Sequence, residues 1–119
     1  MRGLKILIAG GRGFSSALDM WEVLEDYEKS CTTVISGCAR GADSMGEDWA
    51  KAFNIPVERY PALWDEHGRA AGHIRNQLML DDGKPDLVVV FPGGKGSESM
   101  VKKARKAGVE VLTPGWEVP

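Results

Sequence analysis

The chain has 119 residues, 43% of them hydrophobic, and its 15 lysines and arginines against 17 acidic residues leave a formal net charge of −2 and a pI near 5.7. That size suits one domain over residues 1–119 with no separate substrate or regulatory module, and the acidic balance argues against broad binding of nucleic acid or anionic membrane while allowing a focal anion site. No run approaches the ~20 apolar residues of a membrane span and no signal-like stretch precedes the first strand, so a cytoplasmic protein is expected.

Residues 4–9 (LKILIA) are a short apolar run ended by Gly10 and Gly11, as in a central parallel strand buried on both faces. From 15 to 28, Leu18, Trp21, Leu24 and Tyr27 recur every three residues. This predicts a helix with that stripe in the core and Ser15 or Ser16 at its N-cap. Cys31 precedes and Cys38 follows a second strand at 32–36 (TTVIS). The strand separates them, which favours free thiols. Ala42, Met45, Trp49 and Phe53 then line one face of a helix starting near Gly41. A third strand is expected at 56–60, and 61–70, without a clean period, reads as a loop. The next helix, 71–80, is expected to present Ile74, Leu78 and Met79 to the core, while methionine and alanine on the fourth helix, at 97–107, leave room for a homodimer contact. Residues 86–91 carry the strongest strand signal, Leu87 to Val90. A helix at 97–107 with Met100, Val101, Ala104 and Ala107 inward stops at Gly108, and a fifth strand follows at 109–112. The tail 113–119 is too short for another element.

Alternating strands and helices with short connections imply a right-handed, doubly wound parallel sheet. In the order 3-2-1-4-5, the turns after strands one, two and four converge where the winding reverses. Those turns are the glycine-rich ones: Gly10, Gly11, Arg12 and Gly13; Ser36, Gly37, Arg40 and Gly41; Pro92, Gly93, Gly94, Lys95, Gly96 and Ser97. Glycine at a helix N-terminus lets the backbone approach an anion, so a phosphate site is expected there. The last turn is the strongest candidate, with Ser97 as helix N-cap adding a hydroxyl and Lys95 either pairing with the anion or solvated. No lysine directly precedes Ser97, which disfavours a Walker-type triphosphatase. Arg12 would aim a planar five-donor cation into the crevice, and Arg40 holds the equivalent place after the second strand or is surface charge. Asp43 either complements its helix dipole or accepts ribose hydroxyls. Arg75 is a candidate second phosphate or sugar contact, with Asn76 beside it facing outward or toward the crevice. Trp64 and His67 either stack on a base or pin the loop. No metal is expected, since His67 and His73 lack ligand spacing with the cysteines, and no motif requires a cofactor. Cys38 has no histidine near it in sequence for nucleophilic work. Glu98, in the first turn of the last helix, is either a weak acid–base candidate or a dipole partner.

Taken together, Ala9-Gly10-Gly11-Arg12-Gly13-Phe14, Ser36-Gly37-Cys38-Ala39-Arg40-Gly41-Ala42-Asp43 with Trp49-Ala50, Pro61-Ala62-Leu63-Trp64, Ala71-Gly72-His73-Ile74-Arg75-Asn76 and Phe91-Pro92-Gly93-Gly94-Lys95-Gly96-Ser97 resemble the YspA-like branch of the SLOG superfamily over nearly the whole chain. The superfamily includes the Smf/DprA proteins and the LOG phosphoribohydrolases. The resemblance implies a single-domain Rossmann-like three-layer sandwich with a parallel sheet of about five strands. It also implies glycine turns that bind a nucleotide or nucleotide-derived ligand, and pairing into a homodimer. The enzymatic members carry Pro-Gly-Gly-x-Gly-Thr-x-x-Glu, whose glutamate acts in glycosidic-bond cleavage with a separate arginine. Here Ser97 stands for the threonine and Met100 for the glutamate, while Arg75 matches the arginine. Glu98 lies two residues earlier, about 200° around the helix. A binder acting as sensor or accessory protein is therefore expected. The alternatives are a nucleoside-monophosphate phosphoribohydrolase in which Glu98 or Asp43 replaces the glutamate, and single-stranded nucleic-acid binding of the Smf/DprA type, which the acidic pI disfavours.

Overall fold

The computed structural model describes residues 3–119; residues 1 and 2, expected to lead directly into the first strand, lie outside the described residues. Strand β1 (Leu4–Ala9) lies at the centre of a five-stranded sheet with β2 (Cys31–Ser36), β3 (Val57–Arg59), β4 (Leu87–Val90) and β5 (Glu110–Leu112) in the order β3-β2-β1-β4-β5. All four pairings are parallel. Side chains of a strand alternate between faces, so a continuous apolar run serves two cores. Ile6, Ile8, Val34, Leu87 and Val89 face one way, against Met20, Leu24, Trp49 and Ala50. Leu7, Ile35, Val88 and Val90 face the other, against Met79, Leu80, Met100, Val101 and Ala104. Helices α1 (Ala17–Leu24) and α2 (Ala42–Ala52) therefore cover one face, while α4 (Ala71–Asp81) and α5 (Lys95–Lys106) cover the other. This is a Rossmann-like three-layer sandwich.

Several local expectations are corrected. Ser16 does cap α1, its hydroxyl accepting from the Asp19 N–H at 3.3 Å. The buried positions of α1 are Met20 and Leu24, however, and Leu18 (70% exposed) and Trp21 (39%) face outward. A strict three-residue spacing drifts off a 3.6-residue period, and the helix gives way after eight residues to a tighter turn at Glu25–Tyr27. Phe53, one residue past α2, is likewise more than a third exposed. The expected loop at 61–70 holds a short helix, α3 (Trp64–His67), and a 3-10 turn at Gly68–Ala70 that runs into α4. On α4, Ile74 and Leu78 are exposed, whereas Ala71, Asn76, Met79 and Leu80 are buried. Helix α5 starts at Lys95 with Gly94 as N-cap, so Ser97 is inside its first turn rather than the cap, and Ala107, past its end, is exposed.

Cys31 opens β2 instead of preceding it, and both cysteines are free thiols. The tail carries no further element but packs down: the Trp116 indole N–H donates to the Val90 carbonyl at 2.8 Å, and Val118 is buried. No helix among the described residues is long and apolar enough to cross a membrane.

Candidate functional site

Because β2, β1 and β4 are neighbours, the turns that follow them meet at one end of the sheet, where the connections change sides. Backbone hydrogen bonds stitch them together: Gly11 N–H donates to the Pro92 carbonyl (3.1 Å), and the Gly11 carbonyl accepts from Phe14 (3.1 Å) and Ala42 (3.2 Å). The contact leaves no room for side chains. A Cβ on Gly93 would lie 2.2 Å from Ser97 Oγ and 2.7 Å from the Gly11 nitrogen. Gly41 likewise packs on the carbonyls of Gly11 and Arg12. Gly94 and Gly96 differ, since a Cβ on either would meet nothing within 4 Å. Both line a cleft of about 450 Å³.

This cleft gathers Gly10, Gly11, Arg12, Asp43, Arg75, Asn76, Gly94, Gly96 and Ser97 from the expected residues. Gly37 and Arg40 line an adjoining hollow of about 250 Å³ that shares Arg12, Ala39, Trp64 and Arg75 with the first. Gly13, Ser36, Gly41, Pro92, Gly93, Lys95 and Glu98 line neither. Ser36 is buried, donating to Glu47 Oε2 at 2.6 Å and accepting from the Cys38 N–H at 3.1 Å, so its work is to fix the second turn. Lys95 is exposed.

Arg75 is held from two sides: Nε donates to Asn76 Oδ1 at 2.8 Å and Nη1 to the Gly37 carbonyl. A Cβ on Gly37 would lie 2.8 Å from Arg75 Nη1 and 2.9 Å from Asp43 Oδ2, so a bare backbone there lets both groups approach. Burial lowers the Arg75 pKa, and the nearby Asp43 carboxylate opposes that shift. Asp43 is 6% exposed. Burial pushes its carboxyl up from the ordinary range, against the Ala39 N–H it accepts at 3.2 Å and the charge of Arg75. Arg12 is exposed, its guanidinium 5.7 Å from the centre of the Trp64 ring. Trp64 is itself half exposed and lines both hollows, so it is no core pin. His67 lines neither hollow, its Nε2 lying 3.8 Å from Glu66. Burial raises the Cys38 thiol pKa, which opposes a nucleophilic role. Among the described residues no group of three or more His, Cys, Asp or Glu could hold a metal ion.

Sequence reasoning missed Arg69, His73 and Met79 in the cleft wall. For two of them the signal was present: counting from Arg75 in steps of three and four gives Gly72, Met79 and, through Gly72, Arg69 in the turn before α4. Met100 also lines the cleft while 1% exposed in the second core. The position matched to the family's glutamate thus faces the site and carries a thioether. Glu98 lines neither hollow.

A parallel, doubly wound sheet whose glycine turns meet a cationic cleft at the winding reversal defines a Rossmann-like protein with a cleft at its switch point. The family model described as "YspA, cpYpsA-related SLOG family" matches residues 4–67, from β1 to α3. The Gene 61 protein of Mycobacterium phage D29 is 33% identical over 121 residues, covering 93% of this chain and 96% of that protein. The chain belongs to the YspA, cpYpsA-related SLOG family.

Proposed function

We propose that the cleft binds a nucleotide or nucleotide-derived ligand through phosphate, and that the protein serves as a sensor or accessory protein rather than a hydrolase. The observation that carries this reading is the convergence of the α5 N-terminus with Arg75 and Arg12 on one cleft. The first amides of a helix have no intrahelical acceptor, and with the dipole they form an anion seat. Gly94 and Gly96 leave that seat open, and Ser97 adds a hydroxyl. Arg75, locked by Gly37 and Asn76, is preorganised to pair with phosphate oxygens. Trp64 offers an exposed aromatic face to a base, and Arg12 lies over it ready to turn to phosphate. Asp43 sits where sugar hydroxyls would be donors. Met100, in place of the glutamate, removes the expected general acid or nucleophile.

A second reading is favoured by Asp43. A buried carboxyl of raised pKa in a cleft, beside an arginine, is the form an acid–base group takes. In that case the protein is a phosphoribohydrolase with Asp43 in the glutamate's role. Single-stranded nucleic-acid binding has less support, because the cleft offers one tryptophan and one histidine ring rather than a row of stacking platforms.

The test is thermal unfolding against nucleoside mono-, di- and triphosphates and dinucleotides, with each mixture afterwards resolved by chromatography. Stabilisation with intact ligand supports the binder. Stabilisation with released base transfers the assignment to the hydrolase, and no stabilisation by any nucleotide overturns both.

A further inference from the structure

Outside the cleft, and sharing none of its lining residues, a second surface combines two features seldom left together in water. Of the stripe that α1 fails to bury, Leu18 and Trp21, the tryptophan meets Phe53 beyond the end of α2. The Trp21 and Phe53 ring centres are 5.7 Å apart, and Trp49 packs behind Phe53 at 5.6 Å. Between them lies a groove of about 230 Å³ whose rim is Glu22, Glu25 and Glu28. No lysine or arginine occurs from residue 13 to residue 28, whereas Asp19, Glu22, Glu25, Asp26 and Glu28 do. Among the described residues none of these carboxylates takes part in an ion pair.

Lys29 and Lys51 stand nearby in sequence but do not line the groove, and exposed aromatics in a notch lined by carboxylates of one sign mark a recognition surface. We propose that this α1–α2 face docks a basic segment of another protein, one that places an apolar side chain on Trp21 and Phe53 and lysine or arginine side chains on the glutamate rim. The aromatic faces would attract the same cations. A second copy of this chain is the poorer occupant. Its basic helix α5, with Lys102, Arg105 and Lys106 exposed, carries no exposed large hydrophobic residue. Its exposed apolar pair on α4, Ile74 and Leu78, stands beside Gln77 and Asp81 instead of cations.

The test uses the full chain and three short synthetic peptides: one alternating lysine and leucine, one with glutamate for each lysine, one with serine for each leucine. Binding is measured by calorimetry, and its position by amide chemical shifts. The expected result is that the lysine–leucine peptide binds, moves the amides of α1 and the end of α2, and binds at least about tenfold more tightly than either comparison peptide. The combined E22Q/E25Q/E28Q variant should lose about tenfold, as should F53S. The triple variant replaces rim carboxylates by amides of similar size, so it answers even if F53S fails to fold. Absence of binding overturns the proposal. So do unchanged affinity in the triple variant, equal binding of the glutamate peptide, and shifts centred elsewhere.

Discussion

Asp43 and Met100 are the two residues on which the choice between binder and hydrolase turns, and each makes a separate prediction. The folded state raises the Asp43 pKa, mainly through burial. Between the ordinary carboxyl value near ~3.9 and the higher folded value, the native protein therefore holds more protons than the unfolded chain. The stability linked to this group is complete at low pH and is lost as pH rises through the folded pKa. An asparagine cannot ionise, and its side-chain oxygen can still accept the Ala39 N–H. The stability of the wild-type protein should thus decline relative to Asp43→Asn from about pH 4 upward, in urea unfolding midpoints at stepped pH. A difference that is flat or grows in the opposite direction would contradict the buried-acid assignment. Met100 belongs to the second core, with Val101 and Leu7, and lines the cleft as well. Met100→Glu should cost about 2–4 kcal/mol of stability by placing a carboxyl there. It should nonetheless release base from nucleoside monophosphates faster than wild type, while Met100→Gln should not. No gain in Met100→Glu, with the variant folded, would mean that the missing carboxylate is not what separates this chain from the enzymes.

At the scale of elements, the last glycine turn divides its residues between two tasks, and two alanine substitutions separate them. Gly93→Ala forces a methyl against the Gly11 backbone and should cost about 1–3 kcal/mol, read as a lower urea midpoint. Gly96→Ala meets no atom and removes a poor helix former, so it should add roughly 0.5 kcal/mol to stability while crowding the anion seat and weakening nucleotide binding severalfold. Full nucleotide affinity in Gly96→Ala would move the phosphate away from α5. The strands were legible because β-branched runs between glycines have one common use, and their alternation onto two faces follows from the pleat. Helix faces were less so. Helix α4 serves a core and a cleft at once, so Asn76 is buried where an apolar residue would be expected and Ile74 is displaced to the surface. An apolar period cannot reveal a face whose polarity is set by a ligand. The same double duty hid His73 as a cleft residue. Helix α1 misled for another reason, since its largest residue, Trp21, belongs to an exposed face.

For the whole molecule, strand order makes the site a junction. The alternation of elements implied a doubly wound parallel sheet, and the common order 3-2-1-4-5, entertained for such a sheet, is the one found, so three distant turns meet. It could not give the docking of α4, because that depends on where α3 and the turn at Gly68–Ala70 set Arg75. The cleft draws Asp43 from the layer of α1 and α2, Arg75 and Ser97 from the layer of α4 and α5, and Arg12 from the central strand's turn. A ligand held by all of them binds only the assembled sandwich, so its binding energy adds to global stability. At ~100 times its dissociation constant it should contribute about 2.7 kcal/mol, a rise in Tm on the order of 10 °C for a domain of this size. Arg75 is the link between layers, since it reaches the carbonyl of Gly37 at the end of β2 from α4. Arg75→Lys keeps a charge but loses the planar fork that serves Gly37 and Asn76 together. The variant should show a slightly lower Tm without ligand and lose most of the ligand-induced rise. An Arg75→Lys protein with the full rise would place the phosphate on Arg12 and the helix terminus alone, and the junction would be architectural.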